Sequence, residues 1–406
     1  RVRYGTTPDM VGGNPFPTMR YYFERGAAAP KALSQARTLY ARDFGAIGDD
    51  DLDDTWPIQK AVIYAFEHQY NVLVFEPRTY KLGSQAYMNS IILYGSDLEI
   101  RGNGATWVKS STNATFYMDT VIIGGVVPTY PLPLYRSEPQ PDDYIPYTSN
   151  TAGYAFTPSV NIKITDLTIE ETTYVEFRNC VGIANAKDVT LENVTCTNAS
   201  QTAFAIISHN RKVTYQGNVT WYLEKAENIV LDGTHAINSR RHAYRLITFE
   251  SMVNPQHLLT AKVRNCSSAN TLEANGPPGT DILGKKVHLW IADAIGTLDV
   301  TVENCTFDST GIVRVSAATT ATAQSNVLLT HNVIAGGLSV FNQYQPIRIE
   351  HNELYCNPAH LPHPITMQRI VENSTYSFNT IHDYSASCED MPESHDWVSE
   401  GNVYIP

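Results

Sequence analysis

The chain has 406 residues, a formal net charge of −12, 43% hydrophobic residues and 17% charged residues. That composition supports a sizeable packed core and excludes a disordered chain, and the acidic balance argues against nucleic acid as a partner. No apolar run approaches the ~20 residues of a spanning helix, so no membrane insertion is expected.

Residues 1–40 lack periodicity. "VGGNPFPTM" reads as loop and "GAAAPKALSQARTLY" as a short helix or connector, so this stretch is expected to be a neck. The opening "RVRYGTTPDM" shows neither an initiator Met nor a signal-peptide pattern, and a processed N-terminus is expected. Next comes "ARDFGAIGDDDLDDTWPIQKAV", with five aspartates in the six positions Asp49 to Asp54. A calcium loop starting at Asp49 needs glycine at its sixth position and glutamate at its twelfth, where Asp54 and Lys60 stand. A helix start fits better. Asp53, Asp54 and Thr55 precede an amphipathic stripe of Ile58, Ala61, Val62, Ala65 and Phe66. Side-chain oxygens there satisfy free backbone N–H groups, negative charge suits a helix N-terminus, and Pro57 is tolerated in the first turn. "NVLVFEPRTYKL" then reads as strand, turn, strand.

Beyond residue 90 a unit of strand, polar turn, strand recurs. Its apolar anchors are Ile100, Ile164, Leu191, Leu231, Val263, Val302, Leu329, Ile349 and Phe378. Repeats of this size without intervening helices predict a β-solenoid, and a parallel β-helix fits best. Asn193, Asn265 and Asn304 fall two residues after their anchors, where asparagine suits a left-handed corner and a turn ladder. Cys266 and Cys305 follow, as small residues stacked inside. The six cysteines form no CxxC pair, so they read mostly as buried thiols and zinc is not expected. Seven N-x-S/T sequons read as products of the turn pattern. Long inserted loops are expected at 130–149, 207–226, 239–257 and 272–294, where function usually sits on such scaffolds.

The segment from Ala41 to Leu82 resembles the opening of the pectate-lyase-like β-helix superfamily, roughly "DFGA-GDG--DDT-AIQ-AI...V-FP-GTY". Asp43, Phe44, Gly45, Ala46, Gly48, Asp49, Asp53, Asp54, Thr55, Ile58, Gln59, Pro77, Thr79 and Tyr80 match it. Asp50 and Arg78 stand where glycine is usual. The resemblance implies an all-β fold: a right-handed single-stranded parallel β-helix with a short N-terminal capping helix and lateral loop insertions. It divides the chain into a neck (1–40), a capping segment (41–90), the β-helix (91–385) and a C-terminal cap (386–406). The chain is most similar in plan to bacteriophage tailspike depolymerases. That similarity implies a homotrimer on a virion tail or otherwise extracellular, with bacterial surface polysaccharide as partner. It implies neither cofactor nor metal.

Glycoside hydrolysis needs two carboxyls about 5–5.5 Å or 6.5–9.5 Å apart, and acids on coils about 4.8 Å apart reach either distance. Glu250, Asp293 and Glu273 lie in the inserted segments beside aromatic or basic residues and are the candidate catalytic acids; "TIEETTYVEF" adds Glu170, Glu171 and Glu176. Candidate substrate contacts are Arg241, His242, Tyr244, Arg245, Trp290 and Trp221. The basic and aromatic cluster from Arg240 to Arg245 also suits β-elimination on a uronic-acid polymer, with His242 or Tyr244 as base. Polygalacturonase-like hydrolases carry "NTD", "GHG" and "RIK", which are missing, and "WIAD" only partly echoes the "WIDH" of calcium pectate lyases. The expected activity is endo-hydrolysis of capsule or O-antigen. The alternatives are a lyase and a non-catalytic receptor-binding β-helix.

Overall fold

The computed structural model describes residues 37–406 apart from 84–89, 111–118, 125–126, 129–153, 156–157, 175–177, 216–217, 249–256, 273–285, 294–295, 317–323, 342–344, 357–362, 364, 369–372, 386 and 391–397. Most of the expected neck lies outside the described residues. Its last part does not: Thr38–Tyr40 is a strand paired in parallel with Val72–Val74.

The aspartates near residue 50 divide between local tasks. Asp49 takes the left-handed conformation (φ 57°) and accepts the Thr79 N–H at 2.9 Å. Asp51 pairs with Lys81 at 2.6 Å. Asp53 accepts the N–H of Thr55, the first helical residue, at 2.8 Å. Asp54 departs from the expected cap: its carboxylate accepts the Lys81 N–H at 3.2 Å and so ties the helix start to a strand. The helix Thr55–Glu67 lays Ile58, Ala61, Val62 and Ala65 onto the core, with Phe66 half-buried against it. It covers strands at the N-terminal end that would otherwise expose an open edge.

The rest is a three-sided solenoid. One coil runs Ala226–Asp232, a corner at Gly233, His235–Ile237, then His242–Thr248. The next repeats it as Leu258–Arg264, Asn265, Ser267–Ala269 and Val287–Asp293. Among the described residues the first two sides merge into a 19-stranded sheet and the third forms an 11-stranded sheet. Coil pairs with coil in parallel, so the inward positions form continuous apolar files. The anchors lie in one such file: Ile164 pairs with Leu191, Leu191 with Leu231, Leu231 with Val263, Val263 with Val302. The file ends on Tyr376, paired with Ile349, and not on Phe378, which sits at the corner and is half exposed.

The corner asparagines adopt the left-handed conformation, with φ of 53° at Asn193, 56° at Asn265 and 54° at Asn304. The continuous hydrogen-bonded ladder, however, runs one position later, inside the coil. Cys305 N–H donates to Asn332 Oδ1, Asn332 to Asn352, Asn352 to Asn379, and Asn379 to Asn402, all at 2.9–3.0 Å. Cys266 and Cys305 occupy the same inward file and are buried. Four of the six cysteines, Cys180, Cys196, Cys266 and Cys305, are buried free thiols as expected, while Cys356 and Cys388 form a disulfide, with Cα atoms 5.5 Å apart.

Of the expected insertions, 130–149 lies outside the described residues. The segment 207–226 is not a loop: strands Thr202–Tyr215 and Asn218–Glu224 form an antiparallel hairpin that extends the sheet. The expected loops 239–257 and 272–294 likewise contain the coil strands His242–Thr248 and Val287–Asp293.

Candidate functional site

Along the 11-stranded sheet, Val181, Ile183, Phe204, Ile206, Tyr244, Leu246, Leu289, Ile291, Val313 and Val315 point into the core. Strand alternation therefore sends the residues between them outward. Register joins Ile122, Gly182, Ala205, Arg245, Trp290, Arg314 and Ser339 in one outward file, one residue per coil. Arg245 and Trp290 are half-buried and form its accessible part.

The chemistry of the file centres on Trp290. The Arg245 guanidinium carbon lies over the indole, 5.3 Å from its centroid. The His242 ring stacks on the same indole at 5.3 Å. Val287 and Ile312 support it from below. Arg314 is braced by Ser316 Oγ and Ser339 Oγ, each 3.0 Å from a guanidinium nitrogen. Burial pushes the Arg245 guanidinium down to about 10, so it stays cationic at neutral pH. Burial, then Arg245 and Arg241, push the His242 imidazole well below its ordinary range, so the ring is neutral. Its Nδ1 meets Thr202 Oγ1 at 3.3 Å. Among the described residues, His242 Nε2 and Trp290 Nε1 are buried without a hydrogen-bond partner.

A carboxylate enters the same file from outside it. Asp119 lies so close to Gly182 that a Cβ there would meet Asp119 Oδ2 at 1.9 Å. Its Oδ1 accepts the Asn179 N–H at 2.9 Å. Behind it is a buried ionic group: Glu171 pairs with Arg178 at 3.3 Å and accepts from Thr120 and from the Ser200 N–H, both at 2.6 Å. Lys109 is fully buried in the same group, and burial pushes its ammonium down to about 7.

Of the expected sugar contacts, His242, Arg245 and Trp290 meet at this file, and Arg241 lies half-buried beside it. Tyr244 is corrected. It points into the core, stacks on Phe204 at 5.4 Å, and donates its hydroxyl between the Thr234 and Ser267 carbonyls at 2.9 Å. The backbone of Trp221 pairs with Lys212 in the hairpin. Glu250, Glu273 and Glu176 lie outside the described residues. The backbone of Asp293 pairs with that of Thr248. Glu171 is a buried ion-pair partner and not a surface acid. His288 is a brace: Nδ1 meets Thr271 Oγ1 at 2.9 Å and Nε2 meets Asp308 Oδ1 at 2.7 Å. Sequence reasoning missed Asp119 and Arg314. The available signal was an isolated charge beside the apolar strands "VII" and "IVRVS".

No protein-family model and no curated protein matches the chain. Solved structures do match. PfbA, a surface adhesin of Streptococcus pneumoniae, aligns over 91% of this chain and 90% of its own, at 12% identity and a TM-score of 0.53. The A-module of the Azotobacter vinelandii mannuronan C-5 epimerase AlgE4 aligns over 90% and 95%, at 14% identity and a TM-score of 0.51. The chain is a parallel β-helix. The tailspike of E. coli bacteriophage HK620, solved with a pentasaccharide, is similar over 91% of this chain and 67% of its own, at 13% identity and a TM-score of 0.43. Among the described residues of the β-helix, no helix is long and apolar enough to cross a membrane and no group of three or more His, Cys, Asp or Glu could hold a metal ion.

Proposed function

We propose that this chain is a tailspike-type depolymerase that binds an acidic bacterial surface polysaccharide along the outer face of the 11-stranded sheet and cleaves it by glycoside hydrolysis. The observation that carries the proposal is the outward file Arg245–Trp290–Arg314. Arg245 and Trp290 present a cation and an aromatic ring one step of about 4.8 Å apart, close to the length of one sugar unit, with the buried Arg314 next along the file. Arginine recognises planar anions in a fork geometry. The mannuronan epimerase sharing this fold is named for a polysaccharide, which supports the same ligand class. Glu250 and Asp293 are the proposed hydrolytic pair, and Glu273 is a third acid for the same groove. The protein is proposed to act outside the cell or on a virion, as a homotrimer.

The alternative reading is β-elimination on a uronic-acid polymer with His242 as the C5 base, for which its buried, neutral ring beside Trp290 would have to be uncovered. Incubation with purified acidic capsule separates the two. Hydrolysis yields new reducing ends without the ultraviolet absorbance of an unsaturated uronate; elimination yields both. Glu250→Gln and Asp293→Asn are expected to abolish hydrolysis and keep binding. Normal cutting by both variants would remove them from the catalytic role.

A further inference from the structure

We propose that the narrow second side of the last coils is a separate glycan-binding face, centred on a slot over Ala335 that takes one neutral pyranose unit; its ligand class rests on the polysaccharide reading above. In these coils Phe307, Ile334, Leu354 and Ile381 point into the core, so the residues after them face outward. Register carries Asp308, Ala335, Tyr355 and His382 into one outward file, one residue per coil. The Tyr355 ring stacks on His382, with centroids 4.5 Å apart and planes within 12°. That spacing is close to one coil step of about 4.8 Å, so the rings lie across the solenoid axis. The second face of Tyr355 therefore looks along the file onto half-buried Ala335, whose methyl leaves a coil step unfilled. Both ends of this slot are fixed. Cys356, next to Tyr355, is bonded to Cys388. Asp308 accepts the N–H groups of Asn270 at 2.9 Å and Thr310 at 2.8 Å, meets His288 Nε2 at 2.7 Å, and keeps its side chain 32% exposed.

The slot has the chemistry of a neutral sugar site. The negative face of an aromatic ring attracts the C–H groups of a pyranose. The carboxylates of Asp308 and exposed Glu353 accept hydroxyl protons and disfavour an anionic unit. A second ring stack stands on the opposite edge of the same side. His331, His351 and Phe378 occupy successive corners, with centroids 5.2 Å apart and planes within 16° and 10°. All three are exposed and left-handed, with φ of 55°, 58° and 58°. Other coils fill this corner with asparagine or glycine, as at Gly233, Asn265, Asn304 and Gly401. The left-handed backbone is costly for a residue that carries a ring, and such strain gathers at functional sites. Four positions separate His351 from Tyr355, roughly 13 Å of strand, so two or three sugar units span both stacks.

The test uses the full chain in affinity electrophoresis through gels containing dextran, galactomannan, glycogen or a purified neutral capsular polysaccharide. At least one of these should retard wild type. Tyr355→Ala, and Ala335→Gln, which fills the slot, should each weaken that retention at least ~10-fold with little change in Tm. The Arg245→Ala, Arg314→Ala variant should keep it, because those residues stand on the 11-stranded sheet. If Tyr355→Ala and Ala335→Gln migrate as wild type does, or no neutral polymer retards wild type, the proposal is overturned. Retention lost only in the arginine variant overturns it too, by placing all binding on the other sheet. Absence of cutting across acidic capsules bears on the depolymerase reading alone; retention that depends on Tyr355 and Ala335 still supports this face.

Discussion

Asn379 Oδ1 accepts two hydrogen bonds from Asn352, one from its backbone N–H at 2.9 Å and one from its side-chain Nδ2 at 3.1 Å. The same Nδ2 reaches the Leu329 carbonyl at 3.0 Å, so one buried amide ties together three successive coils. The Asn332–Asn352–Asn379–Asn402 file therefore adds a polar ladder to the apolar files that hold the C-terminal coils in register.

Asn352→Ala should cost about 2–4 kcal/mol, because it leaves the buried Asn332 N–H and Leu329 carbonyl without their side-chain partners. Denaturant unfolding should show a lower midpoint at unchanged slope. A midpoint equal to wild type would mean that water replaces the amide at no cost.

Arg178→Met should destabilise by about 3–5 kcal/mol, since Glu171 would remain buried beside it without its ion-pair partner. The double variant Glu171→Leu, Arg178→Met should recover much of that loss. A double-mutant cycle in urea measures the coupling directly.

Much of the fold was legible in the sequence. The anchors recur on a period set by the coil, and the residues at the corners are those that tolerate the left-handed conformation. The errors were local ones of the same kind. Phe378 is apolar like the anchors, yet it follows Tyr376 by two positions and stands at a corner with φ 58°. Tyr244 looked like a sugar contact because Arg241, His242 and Arg245 surround it, but alternation turns it inward while Arg245 faces out. The site was only partly legible. Asp119 precedes Gly182 by 63 positions and meets it across one rung, and nothing in either local sequence shows that a carboxylate fills a missing side chain.

Asp54 makes stability depend on pH. Burial raises its carboxyl to about 7 in the folded chain, against about 3.9 when unfolded. The folded state thus favours the protonated form, so the stabilisation is fully present below about pH 4 and is lost as pH rises through 7. Asp54→Asn should flatten this slope, gaining about 1–2 kcal/mol on wild type at pH 8 relative to pH 5. Parallel melts at the two pH values check it. An identical slope in both proteins would assign the dependence elsewhere.

The Cys356–Cys388 disulfide closes 32 residues of chain. Cys388→Ser should cost about 2–4 kcal/mol through the unfolded state, and reductant should lower the wild-type Tm but not the variant's. Thiol titration should find four groups that react only on unfolding, Cys180, Cys196, Cys266 and Cys305. Four fast-reacting thiols in native protein would contradict their burial.

Tyr244→Phe should lose about 1–2 kcal/mol from its two carbonyl contacts and leave polysaccharide binding per folded molecule unchanged. Arg245→Ala should do the reverse, weakening binding with little change in Tm. Isothermal titration with a purified acidic oligosaccharide distinguishes the two.

The most direct measurement is the size distribution of an acidic capsular polysaccharide after incubation with wild type and with an Arg245→Ala, Arg314→Ala variant. Wild type should bind the polymer and shorten it to discrete oligosaccharides with new reducing ends, and the folded variant should do neither. Equal shortening by both proteins would place the site elsewhere on the β-helix, and an unshortened, unbound polymer with wild type across the panel would contradict the account.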